Sequence, residues 1–98
     1  MSDASEWDGD WYGVTSETEQ QELEDELVQE LAPGHVLYGT HVVAVGRRWR
    51  RDDVLFRLAD GRYARLHLTR HKESSPALPT TDIYASFDEW KALPLEDR

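Results

Sequence analysis

The stretch VLFRL-ADG-RYARLHLT, residues 54–69, constrains the fold more tightly than any other part of the chain. Two runs rich in aliphatic and aromatic residues flank Ala59-Asp60-Gly61, the pattern of a β-hairpin. A two-residue Asp-Gly loop would set Leu58 against Tyr63 and Val54 against His67, mixing apolar and polar side chains on both faces. A three-residue loop with Gly61 left-handed in a G1 bulge sets Phe56 against Ala64 and Val54 against Leu66. Val54, Phe56, Leu58, Ala64, Leu66 and Leu68 then share one face, and Asp53, Arg57, Tyr63, Arg65 and His67 the other. Only this register separates a core from solvent, so it is the one expected. It places Asp53 opposite His67.

The segment before the hairpin predicts a helix. Ser16 and Glu19 form a capping box, each able to satisfy an orphan amide of the first turn. Leu23, Leu27 and Leu31 follow at i, i+4 and i+8, with Val28 beside them, as one apolar stripe. The rest is acidic: Glu22, Glu24, Asp25, Glu26 and Glu30. Ala32-Pro33-Gly34 stops the helix. Residues 35–49, HVLYGTHVVAVGRRW, are rich in valine and are expected to be extended. Residues 71–79 read as a loop, and Thr80–Tyr84 as a short edge strand. Ser86 and Glu89 form a second capping box, opening a helix over Phe87–Leu93 whose Phe87, Trp90 and Leu93 cover the sheet.

Residues 1–15 have no period and read as a flexible acidic tail, although Trp7, Trp11 and Tyr12 could dock on a surface of this chain or of another protein. The expected architecture is α+β: a single domain over 16–95, with an acidic N-terminal helix packed on a three- or four-stranded antiparallel sheet and a short C-terminal helix. Residues 96–98 read as a second tail. With 98 residues there is material for one core.

Charge is segregated along the chain. Residues 1–34 carry eleven acidic groups and no lysine or arginine. Residues 35–72 carry nine basic groups against three acidic ones, and residues 73–98 six acidic against two basic, for a net −9. Either the acidic front folds over the basic middle, or the two signs face different partners. The absence of cysteine excludes disulfides, thiolate metal sites and a cysteine nucleophile. No apolar run approaches the roughly 18 residues of a membrane span, so no membrane association is expected. The first thirty residues hold no signal-peptide pattern, and a cytoplasmic location is the expectation.

Three surfaces compete for function. The acidic helix, through Glu22, Asp25 and Glu26, suits a non-catalytic interaction module that binds another protein, and this is the leading expectation. Arg47, Arg48, Trp49, Arg50 and Arg51 bracket a turn that could hold nucleic acid or a small anion, arginines on phosphate and tryptophan on a base. Its bland alternative is a solvated turn whose arginines offset the acidic helix. The adjacent Asp52 and Asp53, and the acidic front of the same small chain, compete with any polyanion. A third possibility is a small enzyme or metal site built from His41, Asp53 and His67. The chain has no HExxH, glycine-rich phosphate loop or nucleophile elbow, and no cofactor is implied.

The pieces Gly34–Gly39 (GHVLYG), Asp52–Phe56 (DDVLF), Asp60–Arg62 (DGR), His67–Thr69 (HLT) and Pro79–Trp90 resemble a family of small uncharacterised bacterial proteins, over about residues 34–91. Arg70 departs from the tryptophan that such sequences tend to carry there. The resemblance implies a compact bacterial domain and no particular activity, and it assigns no site residue.

Overall fold

A computed structural model of the protein describes residues 10–49, 53–68 and 81–94. The elements run β1 (Trp11–Gly13), α1 (Glu17–Glu30), β2 (Val42–Arg48), β3 (Asp53–Leu58), β4 (Tyr63–His67), β5 (Thr81–Tyr84) and α2 (Phe87–Lys91). The five strands form one sheet in the order β1-β2-β3-β4-β5, each antiparallel to its neighbour. The fold is α+β, with five strands where three or four are expected from sequence.

The hairpin takes the three-residue loop. Val54 faces Leu66, Phe56 faces Ala64 and Asp53 faces His67. Gly61 sits at φ +92°, a conformation that side chains with a Cβ rarely adopt. Its N–H donates to the Leu58 carbonyl at 3.0 Å, and the Leu58 N–H donates to the Arg62 carbonyl at 2.8 Å. Asp60 braces the turn, accepting from the Arg62 N–H at 3.0 Å and from its guanidinium at 2.7 Å.

Ser16 caps α1, its hydroxyl accepting from the Glu19 N–H at 3.3 Å. Leu23, Leu27 and Leu31 lie over Val42, Ala44, Val54, Phe56, Leu58, Ala64, Leu66 and Leu68 in the main core. Burial of each such leucine or valine contributes about 1.5–3 kcal/mol. Helix α1 also finishes an edge that β1 leaves open. Strand β1 pairs with β2 only as far as Gly13 opposite Gly46. Beyond it, the Ala44 N–H donates to the Glu24 carboxylate at 3.1 Å, and the Ala44 carbonyl accepts from the Gln20 amide at 3.0 Å. Two side chains one helical turn apart satisfy backbone groups that would otherwise need another strand.

Strand β2 is bulged between Ala44 and Gly46. A bulge inserts one residue and reverses which side chains face which side. Before it, Val42 and Ala44 point to the α1 face; after it, Val45 belongs to the opposite cluster and Arg47 lies opposite Val54.

Three sequence expectations change. The stretch read as a tail supplies β1, because Trp11 buries its ring and the strand pairs with β2; residues 1–9 lie outside the described residues. The face read as solvent carries a second core of Trp11, Leu55 and Trp90, edged by Val45, Tyr63, Tyr84, Phe87 and Leu93. The Trp11 and Trp90 rings meet edge to face at 5.0 Å. The five-residue α2, capped by Ser86, lays Trp90 into that cluster.

Residues 35–41 form successive turns rather than strand, with Gly39 at φ +78°. Buried His35 organises them. Its Nδ1 accepts from the Leu37 N–H at 3.0 Å, so Nε2 carries the proton and donates to Thr81 Oγ1 at 3.1 Å. The loop expected over 71–79 and the tail over 96–98 lie outside the described residues.

Leu55→Ala is expected to destabilise the protein by about 2–5 kcal/mol, comparable to Phe56→Ala at about 3–5 kcal/mol. Urea unfolding measures both. A loss below about 1 kcal/mol for Leu55→Ala would show that the second core does not form.

Candidate functional site

Glu22, Asp25 and Glu26 lie on the outer side of α1, within an arc of about 100° at 3.6 residues per turn. Glu22 and Asp25 are exposed and Glu26 is half-buried. Asp25 accepts from the Gln21 side-chain amide at 2.9 Å. Among the described residues, no basic group forms an ion pair with Glu22 or Asp25. The last turn of α1 holds no basic residue. Three other acids of the helix face inward. Glu19 meets Arg47, Glu24 meets Ala44, and Glu30 is fully buried.

The bulge in β2 divides the arginines between the two faces. Arg47 points toward α1 and donates to Glu19 Oε2 at 3.1 Å, where the Tyr12 hydroxyl also donates at 2.6 Å. Arg48 points the other way, 3.6 Å from Asp53 and 3.9 Å from Asp10. Trp49 is 59% exposed. It rests against Tyr12 edge to face at 5.7 Å, and its N–H donates to the Asp10 carbonyl at 2.6 Å. Arg50 and Arg51 lie outside the described residues. Arg47 therefore does offset the acidic helix, and a phosphate approaching this turn must displace carboxylates already seated on Arg47 and Arg48. Such partly exposed pairs are each worth at most about 1 kcal/mol, so the competition is real but not prohibitive.

The trio of His41, Asp53 and His67 does not assemble. Asp53 Oδ1 lies 2.5 Å from His67 Nδ1. His41 precedes Val42, which pairs with Leu58 at the far end of β3. Five residues of strand separate that end from Asp53, about 17 Å at 3.3 Å per residue. Among the described residues no group of three or more His, Cys, Asp or Glu side chains is arranged to hold a metal ion. What remains is a charged ladder on the α2 side of the sheet, Arg48–Asp53–His67 beside Arg65–Asp82.

Sequence reasoning finds the outward carboxylates and misses the inward ones. Periodicity places Glu19 and Glu24 on the helix but not against their partners, which depend on the bulge. The signal for that bulge is Gly46, a glycine inside a valine-rich strand. Compared with protein-family models, with curated proteins and with solved structures, the chain matches none of them.

Burial, then the hydrogen bond to Glu19 and its charge, raise the Tyr12 hydroxyl above the ordinary tyrosine range, while Arg47 pulls the other way. The folded chain thus holds this proton more tightly than the unfolded one. Its contribution is full below the ordinary tyrosine pKa and is lost as pH rises through the folded value. In ring-labelled protein followed by NMR, Glu19→Gln is expected to lower the ionisation pH of Tyr12 and Arg47→Gln to raise it. Movement in the same direction for both would refute the cluster.

Proposed function

We propose that the protein is a non-catalytic module that binds another protein through the outer acidic face of α1, with Glu22, Asp25 and Glu26 as the charges its partner meets. One observation carries this reading: Glu22 and Asp25 stand exposed without a described counter-cation, while Arg47, Arg48, Arg62 and Arg65 of the middle segment pair with other carboxylates. Like charges on one helix repel by a few tenths of a kcal/mol per pair, and a basic partner would relieve that repulsion on binding. Complementary charge of this kind sets encounter rate and partner choice more than raw affinity. The pattern fits an inhibitor-like role, an acidic surface held against a basic enzyme.

The triple variant Glu22→Gln/Asp25→Asn/Glu26→Gln is expected to lose the partner captured by the native chain, with stability changed by no more than about 0.5 kcal/mol. An Arg47→Gln/Arg48→Gln variant is expected to keep it. The opposite pattern, with salt-sensitive amide shifts around Trp49 on adding nucleic acid, would replace this reading with the arginine turn as the binding site.

A further inference from the structure

Where the second half of α1 meets the turns of residues 35–41, a half-open cleft of about 590 Å³ enters the surface. Buried Leu27, Leu31 and Leu37 lie at its bottom, with exposed Val28, Tyr38 and His41 around it. Val28 is 68% and Tyr38 54% exposed, so large apolar side chains stand in water beside a hollow floored by leucine, with Thr40 and His41 adding polar groups to its lining. Among the described residues, no lysine or arginine lines the cleft.

The described charge that α1 brings beside it is acidic. Asp25 lies three residues before Val28 and Glu24 four before, the spacings that put side chains side by side on a helix. The carboxyl end of α1 also lies here, and its last turn has no basic residue to meet the negative pole of the helix. Two independent sources of negative potential therefore border one hollow floored by leucine. Glu22 and Glu26 lie farther round the helix, on the side of Asp25 away from Val28.

We propose that this cleft is the anchor site for a basic segment of a partner protein: an aliphatic or aromatic side chain seats against Val28, Leu37 and Tyr38, and a neighbouring lysine or arginine meets Asp25 and the end of α1. The inference rests on the acidic-face reading and sharpens it. The partner presents an apolar residue flanked by basic ones, and Asp25 outweighs Glu26 in its recognition. The apolar anchor supplies affinity in a desolvated pocket, and the charges supply orientation.

The test uses the full chain, isotopically labelled, and three short synthetic peptides. One interleaves leucine with lysine, the second replaces its leucines by serine, and the third replaces its lysines by glutamate. The leucine–lysine peptide is expected to shift the amides of Val28, Leu37, Tyr38 and His41, and to bind about tenfold more tightly than the serine–lysine peptide. The leucine–glutamate peptide is expected not to bind. Val28→Gln and Tyr38→Ser, both at exposed positions, should each remove most of the advantage conferred by leucine while leaving serine–lysine binding unchanged. Asp25→Asn should weaken both lysine peptides more than Glu26→Gln does. Equal binding of the two lysine peptides overturns the anchor site and leaves the acidic face standing. Failure of both lysine peptides to bind overturns the two together. Binding of the leucine–glutamate peptide in the cleft overturns the charge assignment. Cleft shifts that grow with protein concentration alone assign the site to a second copy of the chain and overturn the proposal.

Discussion

Pairing Val54 with Leu66 across one hairpin decides where nearly every other side chain goes. A slip of one residue would put Val54 and Phe56 on one face and Leu66 and Leu68 on the other, leaving Leu23, Leu27 and Leu31 only half of an apolar face to cover. The three-residue loop, with Gly61 at positive φ, holds that register. Once it is set, one face of β3 and β4 is apolar throughout and must accept the helix. The helix in turn brings Glu19, Gln20 and Glu24 to the border of β2, where they take up Arg47 and the Ala44 backbone. Local turn chemistry, core packing and long-range charge pairing thus agree, as a chain of this size requires.

The bulge at Val45 is the second decision. Without it, residues of one parity along β2 would stay on one face, and Arg48 rather than Arg47 would look toward α1. The extra residue sends Arg47 to the acidic helix and Arg48 to Asp53, so two adjacent arginines serve two faces. The same shift places Tyr12 with Glu19, and Trp11 with Leu55 and Trp90, because β1 reads its register from β2.

Most of the framework was legible in the residues. Both capping serines, the leucine stripe, the hairpin register and the β5 edge follow from local chemistry and period alone. What was not legible depends on contacts between distant segments. Leu55 sits in sequence among residues of the polar face, and buried Trp11 and Trp90, 44 positions before and 35 after it in the chain, give it a core. Residues 35–41 have strand composition, but a buried imidazole bonded through both nitrogens and Gly39 at positive φ favour turns over propensity. Of the candidate surfaces, the exposed carboxylates of α1 were readable from period. The separation of His41 from Asp53 was not, because it requires knowing which ends of β2 and β3 meet.

The clasp that Gln20 and Glu24 place on Ala44 bears on how the chain avoids its own kind. Until α1 docks, β2 presents a bare amide and carbonyl beside a run of valines, a template for another molecule's strand. Two hydrophilic side chains close that template without adding a residue to the sheet, so the helix acts as guard as well as lid. Any event that lifts α1 from the sheet therefore uncovers oily surface and a sticky margin together, and self-association in this protein should track helix detachment rather than global unfolding.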